Sequence, residues 1–232
     1  RRDGMALINE PSSHHRFILG KPGAGKTTFL KYITLQAAKG TFHKTPIFVG
    51  LNEWSNATKD GSDTHLTLME FIIQRFDNCN FPDAKKFIEF LLTKKEVILL
   101  FDGLDEVDIK NNHRVVSEIS SFCEKYDKAQ CLITCRVAAV DYNLRAFDGF
   151  SYAEMADFSD EQVTAFVERW FANEPEKAKK FLADLNEETH KKLKELTTNP
   201  LLLGMLCLSF KDLGRFGQTR IEIYNNAVNA LL

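Results

Sequence analysis

The sequence predicts an α/β fold, a five-stranded parallel sheet between helices, followed by a small all-helical lid domain. Three observations predict it. Strand-like and helix-like patterns alternate up to about residue 155, and only helical patterns follow. The run Val97-Ile98-Leu99-Leu100-Phe101 is apolar without interruption, as expected of a strand covered on both faces. A glycine-rich loop, Gly20 to Thr28, joins an apolar strand directly to a helix.

Arg1 to His15 shows little periodicity beyond Ala6-Leu7-Ile8 and reads as a leading segment. Arg16-Phe17-Ile18-Leu19 reads as the first strand. After the glycine-rich loop, Phe29, Leu30, Ile33 and Ala37 line one face of a helix that stops at Gly40. Thr45 to Leu51 reads as the second strand, and Asn56 to Asp63 as polar loop. Thr67-x-x-Glu70 is a capping box opening a helix with Leu68, Ile72 and Phe76 in a row. Pro82 to Leu92 reads as a helix with Phe87, Phe90 and Leu91 toward the core. Glu96 to Phe101 is the clearest strand. An amphipathic helix follows around Val115, Ile119, Phe122 and Cys123, then the strand Cys131 to Cys135 and a weaker one at Ser151 to Met155. Beyond it, Ser159-x-x-Gln162 caps a helix bearing Val163, Phe166, Val167, Trp170 and Phe171. Helices are predicted at Pro175–Leu185, around Glu187–Leu196 and from Pro200 to about Phe210. Thr219-x-x-Glu222 caps a last one with Ile221, Tyr224, Val228 and Leu231 on one face. The expected domains are therefore residues 1–155 and 156–232.

The loop reads Gly20-Lys21-Pro22-Gly23-Ala24-Gly25-Lys26-Thr27-Thr28 and fits G-x-x-x-x-G-K-[ST], a phosphate-binding loop. Glycines let the backbone curl so that successive N–H groups face an anion, and the helix behind adds its free N–H groups and positive end. Lys26 is expected to reach the β- and γ-phosphates, and the Thr27 hydroxyl to ligate Mg²⁺. Such a site also needs a metal-holding acid and a group that orients water. Asp102 ends a buried strand, where open α/β sheets place their ligands, and takes the Mg²⁺ role. Gly103 is read as leaving room beside the metal. Asp105 and Glu106 follow within one turn; either could orient the water. Arg136 ends the next strand and is expected to sense a γ-phosphate. For each, the plainer alternative is a cap, a solvated turn or an ion pair.

The chain has 232 residues, 44% hydrophobic and 27% charged, the profile of a globular protein with a full core. A net charge of −2 provides no field that recruits nucleic acid or an anionic membrane. No apolar run approaches ~18 residues, and no signal peptide is visible, so no membrane partner and a cytoplasmic location are expected. The five cysteines form no C-x-x-C pair. Cys131 and Cys135 share one side of a strand too far apart to bridge, and all five are read as reduced thiols, mostly buried. The chain starts without methionine and ends at Leu231-Leu232 inside a helix, which reads as a piece of a longer protein.

The glycine-rich loop together with Leu99-Leu100-Phe101-Asp102-Gly103-Leu104-Asp105-Glu106 resembles the NACHT family of signal-transduction P-loop NTPases. Leu132-Ile133-Thr134-Cys135-Arg136 resembles that family's first sensor, and Phe158 to Gln162 with Phe166 and Trp170-Phe171 its join into the helical domain. Thr198-Asn199-Pro200-Leu201-Leu202-Leu203 resembles the segment whose proline lies against adenine. The resemblance implies an ASCE-type fold and ATP/ADP with Mg²⁺, held by Gly20 to Thr28, Pro200 and Leu201. Two departures stand out. The sensor reads Thr-Cys-Arg-Val where serine precedes and proline follows the arginine in the family. The family's winged-helix domain, with its ADP-binding histidine, is missing; His14, His15, His43, His65, His113 and His190 are read as surface or structural.

The resemblance implies a nucleotide-controlled switch of a larger signalling or defence protein, reset by slow hydrolysis. Homo-oligomerisation is expected in the ATP state, with effector and sensor domains outside this chain. The alternative is a continuously cycling AAA-like motor or loader acting on nucleic acid or protein through Lys94-Lys95, Lys179-Lys180 and Lys191-Lys192-Lys194. Those lysines alternate with acids, so solvated helix faces are the better reading. A small-molecule kinase fits the Asp102 block and the helical segment less well.

Overall fold

Strands β1 (His15–Leu19), β2 (Thr45–Gly50), β3 (Val97–Asp102), β4 (Gln130–Cys135) and β5 (Ser151–Glu154) form one sheet in the order β2-β3-β4-β1-β5, every pair parallel. The computed structural model describes residues 2–10, 14–59, 62–137, 147–216, 222 and 225. The chain divides into two compact units. One is Arg1–Lys21 with Lys26–Met155, and the other is Pro22–Gly25 with Ala156–Leu232.

Alternation along β3 shows why its sequence is apolar throughout. Val97, Leu99 and Phe101 enter one core with Trp54, Ile88 and Ile119, whereas Ile98 and Leu100 enter a second with Leu30 and Ile33. Val97 to Phe101 are all fully buried, so helices cover both faces of the sheet. Helix α2 (Lys26–Ala38) covers one face, and Gly40, at φ 73°, ends it in the left-handed conformation that favours glycine. Helices α4 (Leu68–Asp77), α5 (Ala84–Lys94) and α6 (Ile109–Lys125) contribute to the other core. The capping box at α4 is present: Thr67 Oγ1 accepts from Glu70 N, and Glu70 Oε2 accepts from Thr67 N.

Some elements differ from the sequence reading. The leading segment contains a short helix, α1 (Gly4–Ile8), capped by Asp3. Its last carbonyls are satisfied from the sheet, because the buried Arg16 donates to Leu7 O and the buried Gln130 donates 2.8 Å to Ile8 O. Leu51 starts a helix, α3 (Leu51–Asn56), rather than ending β2. It buries Leu51 and Trp54, whose indole N–H donates 3.1 Å to Leu66 O. Six residues are too few for a helical period to show in sequence. Helix α5 starts two residues later than expected, and Phe90 is 50% exposed. Its buried stripe is Ala84, Ile88, Leu91 and Leu92, and Phe90 lies about 200° of helical rotation past Ile88.

The second unit contains α7 (Asp160–Trp170), α8 (Pro175–Leu185), α9 (Lys191–Thr197) and α10 (Pro200–Leu213), with a 3₁₀ turn at Glu188–His190. Ser159 and Gln162 form the expected capping box at α7. Phe171, Phe181 and Phe210 meet in its core, the Phe181 and Phe210 rings 5.0 Å apart edge to face. Trp170, 43% exposed, stacks on Phe166 rather than filling that core. The last expected helix, from Thr219, lies outside the described residues except for Glu222 and Asn225, both helical.

Candidate functional site

The turn from β1 into α2 is made by backbone. Gly23 and Gly25 have φ of 74° and 92°, in the region glycine alone enters freely. At Gly23 space is restricted as well, since a Cβ would fall 2.8 Å from Asn199 Oδ1 and Leu201 Cβ. Lys26 starts α2, and its ammonium donates to the loop's own carbonyls, Gly20 O at 3.0 Å and Lys21 O at 3.3 Å. The half-buried amine is thus folded over the loop. The Thr27 and Thr28 side chains are exposed in the first helical turn, where backbone N–H groups have no intrahelical acceptor.

The turn after β3 is organised by side chains. Asp102 Oδ1 accepts a 2.7 Å hydrogen bond from Thr134 Oγ1, and the same hydroxyl accepts from Gly103 N at 2.8 Å. Thr134 is 1% exposed, so both of its bonds are shielded from water. Gly103 adopts φ 80°, in the left-handed region that favours glycine. A Cβ there would also stand 3.0 Å from the Glu106 carboxyl. A 3₁₀ turn (Leu104–Glu106) follows, pinned by the buried Leu104. Asp105 accepts from Arg136 twice, from its backbone N at 2.9 Å and from its guanidinium Nε at 2.8 Å. The Asp105 side chain is 6% exposed, and Glu106 is exposed. Burial and the Asp105 carboxylate push the neighbouring Cys135 thiol up to about 11, which keeps it protonated.

Strand order brings these pieces to one edge. β4 lies between β1 and β3, and all three run parallel, so Leu19, Cys135 and Asp102 end together. Lys26, Asp102, Asp105, Glu106 and Arg136 all belong to that edge of the first unit. Pro200 and Leu201 belong to the second unit, at the start of α10. Within that unit Asn199 caps α10, its Oδ1 accepting from Leu201 N at 3.0 Å and Leu202 N at 3.3 Å. Its amide also donates 2.9 Å to Pro22 O, and Leu201 N approaches Gly23 O at 3.4 Å.

Neither Thr134 nor Asn199 is among the residues the sequence singles out for the site. Thr134 stands in the sensor-like stretch Leu132 to Arg136, which by itself assigns its hydroxyl no partner. The Asn-Pro pair opening an apolar helix is a capping signal that marks Asn199. The donor set suits an Mg-nucleotide: an oriented carboxylate, an exposed threonine hydroxyl, a lysine and a glycine-shaped loop at a helix N-terminus.

A family model of the NACHT domain matches residues 14–174. No curated protein matches the chain. Among solved structures, the replication initiator DnaA bound to AMPPCP and single-stranded DNA is similar in fold, at TM-score 0.50 and 18% identity, over 89% of this chain and 58% of that one. The Holliday junction branch migration motor RuvB of Thermotoga maritima matches at TM-score 0.45 and 14% identity over 93% and 61%. Cdc6p from Pyrobaculum aerophilum matches at TM-score 0.49 and 13% identity over 91% and 60%. The chain spans about six-tenths of the length of these structures.

Proposed function

We propose that this chain, which belongs to the NACHT family, is the adenine-nucleotide switch of a larger signalling or defence protein, with slow Mg-dependent ATP hydrolysis resetting it. The observation that carries this reading is the Arg136–Asp105 pair. It occupies at once the guanidinium expected to sense a γ-phosphate and one of the two carboxylates that could orient water. A site whose sensor is already engaged suits a slow switch better than a rapid motor.

In this reading the loop from Gly20 to Thr28 holds the phosphates, with Lys26 exchanging its bonds to Gly20 O and Lys21 O for phosphate oxygens. Thr27 and Asp102 hold Mg²⁺, which supplies charge neutralisation for the transferring phosphoryl group when bound. Thr134 fixes the orientation of the Asp102 carboxylate. Glu106, which is exposed, orients the attacking water, and Asp105 positions Arg136. Pro200 and Leu201 are assigned to the adenine end. Homo-oligomerisation in the ATP state, effector domains beyond this chain and a cytoplasmic setting belong to the same proposal. Among the described residues no helix is long and apolar enough to cross a membrane.

The nucleotide content of the purified protein tests the switch. Acid extraction and chromatography should recover ADP in near-stoichiometric amount, with turnover far below ~1 s⁻¹. An empty site with rapid turnover would place the protein among cycling ATPases instead.

A further inference from the structure

At the opposite end of β1 from the phosphate loop, three side chains with metal-binding donors meet. Cys123, in the last turns of α6, and Cys131, on β4, are buried thiols whose sulfurs lie 3.1 Å apart. His15, the first residue of β1, is the register partner of Cys131. One donor atom from each of the three lies within 4.8 Å of the other two. The five residues of β1, roughly 13 Å, separate this cluster from the glycine-rich loop, so none of the three takes part in the nucleotide site.

Two soft sulfurs and one imidazole are the donor set of thiophilic d¹⁰ cations. Among the described residues no fourth His, Cys, Asp or Glu joins them, which suits an ion of low coordination number better than a closed tetrahedral site. His15 is half-buried and its ring stacks on Phe150 at 5.0 Å and 24°, which limits its rotation. Its partial exposure also provides a path from solvent to two buried sulfurs. A metal–sulfur bond of about 2.3 Å sets two ligating sulfurs about 3.8–4.0 Å apart, so binding spreads the two thiols by less than about 1 Å.

We propose that His15, Cys123 and Cys131 bind one Cu(I) ion at the base of the sheet, joining β1, β4 and α6. Each thiol gives its proton to solvent as its sulfur takes the ion, and no electron is transferred.

Competition against a chromophoric Cu(I) chelator tests this on the full chain, kept anaerobic with a phosphine reductant. A Cys79→Ser background removes the exposed thiol. One equivalent of Cu(I) should be withheld from the chelator. Cys131→Ser and His15→Ala should each weaken binding at least ~100-fold, beyond the 10–100-fold that an outer-shell partner contributes. His15→Ala leaves both buried thiols in place, so its result stands even if Cys131→Ser fails to fold. No withheld copper, unchanged affinity in His15→Ala, or a Cys123–Cys131 disulfide in the reduced protein's place would each overturn the site.

Discussion

After β1 the chain turns through two left-handed glycines and bonds its lysine to loop carbonyls, at 3.0 and 3.3 Å. After β3 it turns through one left-handed glycine and anchors two acids, Asp102 to Thr134 on β4 and Asp105 to Arg136 just after it. The first turn is shaped by backbone, and its lysine bonds loop carbonyls that a phosphate oxygen can replace. The second is shaped by side chains that are already satisfied. Binding and hydrolysis should therefore respond differently to mutation, the first depending on residues of the loop and the second on partners supplied by a neighbouring strand.

The sharpest way to break this contrast is Lys26→Ala. It should weaken ATP binding more than ~100-fold by calorimetry while leaving the urea midpoint nearly unchanged, since its bonds to the loop are partly exposed. Undiminished binding would remove the loop from the site. Next is Glu106→Gln, expected to lower single-turnover hydrolysis by ~10²–10⁴-fold with binding retained. Asp105→Asn should lower it less, since that carboxylate faces Arg136; the reverse ranking would exchange the two roles. Third, Thr134→Val removes a donor to Asp102 and leaves the Gly103 N–H without its acceptor. It should cost ~1–3 kcal/mol in urea unfolding and weaken Mg²⁺ dependence, and Thr134→Ser should recover most of both.

The smallest effect belongs outside both turns. The Lys59 ammonium, with the Thr67 N–H and hydroxyl, holds the Glu70 carboxyl down to about 2 from the ordinary 4.5. A depressed folded value stabilises the native state above the unfolded pKa, and that contribution disappears as pH falls from 4.5 through about 2. Glu70→Gln should flatten the acid limb of the stability curve in that window and change little at pH 7.

Much of the candidate site is legible because the patterns that mark it are local. Glycines at Gly23 and Gly25, a lysine at the helix start and an acid at the end of a buried strand are short-range patterns with short-range causes. Thr134 and Asn199 are not legible in this way. The Thr134 partner is 32 residues distant and the Pro22 partner of Asn199 is 177. Short helices were missed for the opposite reason: α1 and α3 have five and six residues, less than two turns each, so their burial rather than their period defines them.

By itself the sequence determined the alternation of strands and helices, the double burial of β3, the capping boxes at Thr67 and Ser159 and the glycine-shaped loop. Each follows from propensity, pattern or steric limits within a few residues. Only the tertiary structure decided that β4 stands between the loop strand and the Asp102 strand. That placement gives Asp102 its hydroxyl partner, commits Arg136 to Asp105, leaves Glu106 exposed and sets His15 beside two buried sulfurs. Strand order depends on which distant segments bury apolar surface together, and no window along the chain contains that information.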